Sequence, residues 1–521
     1  MLIMVRPSGL ALLSVLAMSF VTPTAAATGK TRVDWPYGER GPEMDHDTWV
    51  SLINATPYRW ARVYQHSYQM GSWGVWPEYL EPGQSVQTLA ERRNGFFIED
   101  SAAEVRYQLE GTARPMGLQV EYRRGLAHRV WVRFVDELET LNNARGTEHE
   151  LGFVRRPGGV GFLLAGSEEA GFVSNDGPLQ WMQASLPLVG HLPLRELALP
   201  RTHHSGMWKA VQPVMFGCPA NTLTHDDDLW NQLGNGGIRV LDLRATRVGH
   251  EFRESHVSEI GILGWQGMIG AGIEEMIDIV NRFNDQYPGE LIILDVHREA
   301  RSRSRGWQEL DEGEVLDLYK LFKLLRHRLR VPDDEDLTTW PLGRFIANGT
   351  SAVLVRFHQS WLKRAPDGFP GGAEGFVTDR QLPYLGDWSN AAEVADMVRD
   401  QLTQLAHFRP RRDSPAFNAQ WIITQNSAQT VFPLETIIQR NAPAWRTLYH
   451  EFWNALSDQT YPNWITVDAS HHSQLKAMAM AINLCLGARK CGSLGGRVRG
   501  SSVQDRYLAR ANGTEAKVVH A

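Results

Sequence analysis

The chain has 521 residues, of which 43% are hydrophobic and 21% are charged, as is ordinary for a globular protein with a large core. Its formal net charge of −6 lacks the strong basic excess that is typical of nucleic-acid-binding proteins, so we expect no nucleic-acid partner. Three cysteines are too few for a disulfide scaffold.

The first predicted element is a secretory signal peptide over residues 1–26. Arg6 precedes an apolar stretch from Leu10 to Val21, and small residues follow at positions 24–27. This stretch is too short to span a membrane, and no later segment approaches the roughly eighteen consecutive apolar residues of a membrane-spanning helix. We therefore expect a secreted protein that is cleaved after Ala26 or Ala27.

Secretion places the cysteines in an oxidising environment, where one of the three must stay unpaired or bond to another chain. Cys485 and Cys491 form the local pair, but the sequence leaves pairing of Cys218 with either of them open. Glycosylation, in a host that attaches N-linked glycans, is predicted at three Asn-x-Thr sequons, which begin at Asn54, Asn348 and Asn512.

An all-β domain is predicted for residues 46–165. Its apolar runs have strand length and are separated by Pro, Gly and Asn turns without a helical period: WVSLIN, WARVYQ, VRYQLE, LQVEY and RVWVRFV. Many short strands with frequent turns favour a sandwich. The aromatic segment HSYQMGSWGVWPEYLEPG fits either core aromatics beside a turn or a loop that contacts lipid.

Strand-like and helix-like segments alternate over residues 180–490, after a Gly-rich boundary at residues 155–172. Helical spacing is clear over residues 273–283, 315–325 and 394–405. Six strand-like segments lie before or between the helices: RELALP, GIRVLDLR, LIILDV, SAVLVRF, WIIT and WITV. This alternation predicts an α/β fold, a (distorted) TIM-type (β/α) barrel rather than an open sheet, with a tail at residues 491–521.

Polar side chains follow five of these strands, at the end of a parallel barrel where chemistry usually collects. Residues two apart in a strand share a face, so Asp242 and Arg244 should point the same way, as should Asp295 and His297. Singly, each such residue fits a structural ion pair or a helix cap. Together they predict one site: His203, His204, Asp242, Arg244, Asp295, His297, Arg298, Arg356 and Asp468.

The segments LALPRTHHSGMW, QLGNGGIRVLDLR and YPGELIILDV, with a histidine at position 256, resemble the catalytic domain of phosphatidylinositol-specific phospholipases C. The metal-independent bacterial type is the most similar, and the resemblance covers about residues 181–485. It implies a phosphoric diester hydrolase or phosphorus-oxygen lyase without cofactor or metal. It also implies a phospholipid or phosphoinositide substrate and peripheral contact with a membrane surface.

The resemblance implies that His203 is the general base, that Asp468 orients it, and that His256 is the general acid. Asp242 and Arg244 match the assisting aspartate and the phosphate-binding arginine. Histidines suit both proton transfers near neutral pH, and a guanidinium suits phosphate. Further positions are implied to contact the substrate headgroup: His204, His297, Arg356, Asp379 and Tyr384.

The chain departs from the family pattern at three positions. Arg201 and Val257 stand where the family has glycines, and His204 stands where it has an aspartate that tunes the general acid. The last exchange raises the question of how the acid step is supported.

Two other hypotheses remain open. A metallohydrolase could use the histidines, although adjacent histidines on an extended chain point to opposite faces and offer one ligand per pair. The histidines concerned are His203, His204, His256, His471 and His472. The other hypothesis is a catalytically altered, lipid-binding or toxin-like protein on the same barrel. The segments VSLINATPYRW, GSWGVWP and EPGQSV of the β domain resemble small lipid-binding sandwiches of the aegerolysin or actinoporin kind.

Overall fold

A computed structural model describes residues 47–93, 101–124, 128–426, 429–430, 433–470, 474–488 and 494–495. Several sequence predictions lie outside these residues: the signal peptide, His471, His472, Cys491, the sequon at Asn512 and nearly all of the C-terminal tail.

In the described residues, eleven strands near the N-terminus form two sheets, with orders β11-β10-β1-β5-β3 and β4-β2-β6-β7-β8-β9. One buried core contains Leu52 and Leu164 of the first sheet and Val120 and Val132 of the second. The described part of this region is therefore all-β with two layers, in line with the prediction. The strands are β1 Asp47–Ala55, β2 Trp60–Tyr68, β3 Met70–Trp73, β4 Tyr79–Leu80, β5 Ser85–Arg92, β6 Ala102–Leu109, β7 Met116–Arg124, β8 His128–Asp136, β9 Glu148–Gly152, β10 Gly159–Ser167 and β11 Gly171–Ser174.

The aromatic segment of this domain serves mainly as core. Trp73 and Trp76 are 5% and 1% exposed and their rings lie 5.2 Å apart, whereas Tyr68 and Val75 are exposed. The two tryptophans are therefore core aromatics beside a turn, the first of the two interpretations given above.

Thirteen further strands follow in the part of the chain that the structure describes. Seven of them form one parallel sheet with the order β22-β21-β18-β14-β12-β24-β23. The bounds are β12 Leu199–Thr202, β13 Gln212–Val214, β14 Val240–Leu243, β15 Ala245–Val248, β16 Glu251–Glu259, β17 Trp265–Gly272, β18 Leu291–Val296, β19 Arg301–Ser302, β20 Gln308–Glu309, β21 Ala352–Phe357, β22 Phe376–Thr378, β23 Asn418–Trp421 and β24 Trp464–Val467.

This sheet bears out the α/β part of the prediction, whereas closure into the (distorted) TIM-type barrel is not seen in the described residues. Within the described residues no ladder joins β22 to β23. Both are short, and only one isolated bridge, between Leu385 and Phe417, forms in the chain that connects them. The order of the other strands is that of successive βα units.

Helices accompany the parallel strands: α1 Trp181–Val189, α2 Leu229–Leu233, α3 Ile273–Gln286, α4 Glu312–Phe322, α5 Leu342–Ile346, α6 Val394–Phe408, α7 Ile437–Thr447, α8 Trp453–Ala455 and α9 Leu475–Gly487. A π-helical turn, Leu448–Phe452, joins α7 to α8. The apolar side of α3 is buried as its spacing predicts, and α4 begins with a capping box at Asp311. No helix in the described part of the chain combines the length and apolar character needed to cross a membrane.

A second sheet of this region, with the order β13-β17-β16-β15-β19-β20, was not predicted; its strands pair antiparallel except for β15 and β19, which are parallel. Its strand β15 begins directly after β14, and the hairpin with β16 turns back over the carboxyl ends of the parallel strands. Residues of β16 thereby reach the rim at which the sequence analysis placed the site.

The cysteines follow one of the open alternatives. Cys218 is a free thiol, whereas Cys485 is disulfide-bonded. Within the described chain, Cys218 is therefore not the partner of Cys485.

Candidate active site

The carboxyl ends of the parallel strands open into a cavity of about 710 Å³. The residues that directly follow β12, β14, β18 and β24 lie on its wall, and β16 of the second sheet adds four more, among them His256. Because these parallel strands are neighbours in the sheet, residues far apart in sequence meet here. The residues of the sequence prediction that line the wall are His203, His204, Arg244, His256, His297, Arg298 and Asp468.

The imidazole of His203 is held by Asp468, since the paired strands β12 and β24 end side by side. Nδ1 of His203 lies 2.9 Å from Oδ1 of Asp468. An ionised carboxylate only accepts, so Nδ1 carries the hydrogen and Nε2 keeps its lone pair. This is the arrangement of a general base with its orienting carboxylate.

Asp468 is itself fixed from two sides. Its side chain is 1% exposed, and Oδ2 accepts a hydrogen bond of 3.1 Å from Nδ2 of Asn441 on α7. The indole N–H of Trp445 donates to the Asp468 carbonyl at 3.1 Å. The carboxylate thus has little freedom to turn away from His203.

A second imidazole, that of His256, faces His203 with 6.1 Å between ring centroids. Its Nδ1 lies 2.9 Å from the carbonyl oxygen of Thr222, which can only accept, so Nε2 is the atom that gains or loses a proton. Burial, followed by the charge of His203, lowers the pKa of His256 to about 4. An anion bound in the cavity would raise this pKa.

Arg244 supplies a fixed positive charge beside these rings. Its Nε lies 3.5 Å from Oδ2 of buried Asp242, which confirms that the two side chains share a face. Although burial of Asp242 favours the neutral carboxyl, Arg201 and Arg244 together hold its pKa well below the usual range. Asp242 is therefore ionised, and its charge anchors the guanidinium of Arg244.

Asp295 and Arg356 lie behind the cavity wall rather than on it. In the sheet, Asp295 is in register with Asp242 on one side and with Arg356 on the other. Arg201 bridges Asp242 and Asp295 at 3.0 and 2.9 Å, and Arg356 contacts the other oxygen of Asp295 at 2.5 Å. These charges satisfy one another within the sheet, so Arg356 is not presented to a headgroup.

Asp379 and Tyr384 are also not brought to the cavity. Asp379 follows the edge strand β22 and contacts Nε2 of His358 at 3.2 Å. The Tyr384 ring stacks on Trp464 with 3.5 Å between centroids. Of the positions implied to contact the headgroup, the structure brings His204 and His297 to the cavity.

The adjacent histidines do not follow the expectation for an extended chain. His204 has φ 46°, a left-handed conformation, and both rings line the same cavity with centroids 4.5 Å apart. Each Nδ1 contacts a different carboxyl group, Asp468 for His203 and Glu254 for His204. In the described part of the chain, no three or more His, Cys, Asp or Glu side chains are grouped to hold a metal ion.

Sequence analysis missed two residues of the site. Glu254 lies two positions before His256 on β16, and this same-face spacing was the available signal. Asn441 had no signal, since only the packing of α7 brings it to Asp468. Arg201 was noted as a departure from the family pattern, without a role.

No protein-family model matches the chain, and no curated protein matches it. Among solved structures, the chain is similar to the phosphatidylinositol-specific phospholipase C of S. aureus, in a structure that concerns modulation of that enzyme's membrane binding. The sequence identity is 13% and the TM-score is 0.43, and the match covers 59% of this chain and 99% of that one. A double mutant of the S. aureus enzyme gives 13% identity, a TM-score of 0.42, and coverage of 60% and 97%.

Proposed function

We propose that this chain is a secreted phosphodiesterase of the phosphatidylinositol-specific phospholipase C type, which cleaves the headgroup of a phospholipid or a related phosphodiester. One observation carries the proposal: His203 and His256, each with its Nδ1 hydrogen fixed, face each other 6.1 Å apart in a cavity that also holds Arg244. A base, an acid and a cation are what cleavage of a phosphodiester by its own hydroxyl requires.

In this mechanism, Nε2 of His203 removes the proton from a headgroup hydroxyl, and the oxygen attacks phosphorus. Arg244 stabilises the charge on the non-bridging oxygens. The bond from phosphorus to the lipid oxygen breaks, and protonated His256 gives its proton to that oxygen. The products are a cyclic phosphate of the headgroup and a neutral diacylglycerol.

Exposed apolar side chains at the cavity mouth support a lipid substrate. Trp388, on the cavity wall, is 52% exposed, and Ile262, at the tip of the β16–β17 hairpin, is fully exposed. Phe216, 68% exposed, donates its backbone N–H to Oε1 of Gln266, a residue of the cavity wall. We define Phe216, Ile262 and Trp388 as the apolar rim. Apolar and aromatic side chains in such a position can enter the headgroup zone of a bilayer.

Turnover of defined vesicles tests the proposal. Vesicles of phosphatidylinositol, glycosylated phosphatidylinositol, phosphatidylcholine and sphingomyelin are offered to the wild type, to His203→Ala, and to His250→Ala as a control at an exposed histidine. We expect product from at least one lipid, retained by the control and lost in His203→Ala. Absence of product from all four lipids would favour the lipid-binding alternative, and equal product from His203→Ala would exclude His203 as the base.

A further inference from the structure

Glu254 is a carboxyl group that the mechanism above does not use, and it lies directly behind His204. Its residue is 0% exposed, and Oε1 lies 3.1 Å from Nδ1 of His204. Its other oxygen, Oε2, accepts a hydrogen bond of 2.9 Å from the backbone N–H of Arg244. Glu254 thus connects the His204 ring to the strand end that carries the cation.

The position of His204 is fixed by several contacts, but one of its ring nitrogens has no partner. The backbone N–H of His204 donates to Asp242 at 3.0 Å, and its ring stacks on His256 with 4.1 Å between centroids. His204 is 1% exposed and lines the cavity, yet Nε2 has no hydrogen-bond partner among the described residues. A buried polar atom at a cavity wall normally has a partner, so this atom points to a ligand.

We propose that Glu254 and His204 form a dyad that retains one shared proton and presents the Nε2–H of His204 as a hydrogen-bond donor to a phosphoryl or leaving-group oxygen. This inference rests on the phosphodiesterase function proposed above. It makes His204 a direct contact of the reacting group and Glu254 a positioning residue that acts through it.

The hydrogen on Nε2 follows from the protons available to the pair. Burial raises the pKa of Glu254 well above its usual range, and burial followed by the charge of Arg244 lowers that of His204 well below its usual range. A neutral carboxyl donates O–H to Nδ1, so the neutral imidazole carries its hydrogen on Nε2. If the shared proton moves from Glu254 to Nδ1, the hydrogen on Nε2 stays in place. Nε2 becomes an acceptor only when the pair loses the shared proton to solvent.

The charged groups around the dyad determine the pH at which it loses the shared proton. Asp242 opposes ionisation of Glu254, whereas Arg244 favours it. The charged and titratable groups that face the pair are Asp242, Arg244, His203, His256 and His297. With its shared proton, the pair of Glu254 and His204 carries no net charge. It therefore places a hydrogen-bond donor beside protonated His256 without adding a second positive charge that would repel it. A histidine can therefore stand where the family has an aspartate.

The substitution Glu254→Gln tests whether Glu254 acts as a protonated carboxyl group, as proposed, or as an ionised carboxylate. The amide matches a protonated carboxyl, because its NH₂ group donates to Nδ1 of His204 while its oxygen accepts from the Arg244 N–H. We expect Glu254→Gln to keep turnover within about threefold of wild type and to abolish the decline in activity at alkaline pH that accompanies ionisation of the dyad. Apolar Glu254→Leu provides neither bond and should lower kcat by about 10²-fold, the effect of losing one oriented donor. Deprotonation of the general acid His256 causes an alkaline decline of its own in every variant. Equal losses in both variants, or an alkaline profile of Glu254→Gln identical to that of wild type, would therefore overturn the proposal.

A second readout does not depend on turnover. In protein labelled with ¹⁵N-histidine, the His204 signals are identified by their absence in His204→Phe, which keeps a ring, and in His204→Asn, which tolerates a positive φ. Thermal unfolding checks that both variants fold. We expect wild type and Glu254→Gln to show the Nε2–H form of neutral His204 at pH 7; a hydrogen on Nδ1 with a bare Nε2 would overturn the dyad. If no lipid were cleaved, the proposed function would fail while this measurement still decided the state of the dyad.

Discussion

His203 and Asp468 are 265 positions apart in the chain, and their side chains meet at 2.9 Å where β12 and β24 end. The pair is supported by Asn441, whose amide orientation is itself fixed. Its Oδ1 accepts from the backbone N–H of Ile423 at 3.1 Å, and its Nδ2 donates to the carbonyl of Ile437 at 3.0 Å. Nδ2 of Asn441 must therefore point at Asp468.

We predict that Asp468→Asn lowers kcat by about 10³- to 10⁴-fold. Asn441 offers a donor, so the new amide must turn its oxygen toward Asn441 and its NH₂ group toward His203. Nδ1 of His203 then accepts, and its hydrogen moves to Nε2, which removes the base. Steady-state kinetics with the best lipid from the vesicle assay checks this, with exposed Asp334→Asn as control. Wild-type turnover in Asp468→Asn would contradict the assignment.

Arg201 is predicted to stabilise the floor of the site through its contacts with Asp242 and Asp295. Arg201→Met leaves Asp242 without its closest cation in a buried position, and we expect a loss of about 3–5 kcal/mol in the free energy of unfolding. Denaturant unfolding measures the loss. In the double variant Arg201→Met/Asp295→Asn, the loss relative to Asp295→Asn alone should be smaller, and strict additivity would contradict coupling of the two charges.

Acid should destabilise the protein through its buried histidines. Burial, followed by the charge of Arg244, lowers the pKa of His297 to about 4, and the pKa of His256 is similarly lowered. Between about pH 6.5 and 4 the unfolded chain binds protons that the folded protein does not, so stability falls as pH falls through this window and levels off below it.

His297→Gln removes one of these groups and should flatten the dependence by up to one proton, or about 1.4 kcal/mol per pH unit. Chemical unfolding at pH 6.5, 5.5 and 4.5 measures the slope. The opposite contribution of Glu254, whose raised pKa adds stability that is lost as pH rises, is common to both proteins and cancels in the comparison. Identical slopes would contradict a lowered pKa for His297.

The sequence predicted those parts of the site that depend on strand order. His203, Arg244, His297 and Asp468 follow apolar segments that could be recognised as parallel strands, and the ends of such strands meet at one edge. His256 was found through the family resemblance alone, because the strand that carries it, β16, has no distinctive apolar period.

The sequence could not show which charged side chains would contact each other instead of the cavity, or whether the edge strands of the sheet would pair. Arg356 and Asp295 satisfy each other because β18 and β21 are in register, a relation that motif spacing does not contain. Barrel closure depends on pairing between two short edge strands, and alternation of strands and helices does not determine it.

Activity should not depend on a divalent metal, because the guanidinium of Arg244 supplies the positive charge beside the histidines. We expect unchanged lipid turnover after dialysis against a chelator, and no metal in stoichiometric amounts by elemental analysis of the purified protein. Loss of activity that calcium restores would contradict this and would favour the metallohydrolase alternative.

Binding to vesicles should depend on the apolar rim rather than on catalysis. The double variant Phe216→Ser/Ile262→Asp replaces two exposed apolar side chains by polar ones, and we expect vesicle affinity to fall by about tenfold or more. Turnover of a water-soluble phosphodiester should be unchanged, since neither side chain lines the cavity. Leu324→Asp is the matched control, because Leu324 is 54% exposed but follows α4 at the end of the sheet opposite the cavity. If deletion of the β domain weakened vesicle binding while the rim variant did not, membrane contact would belong to the N-terminal domain.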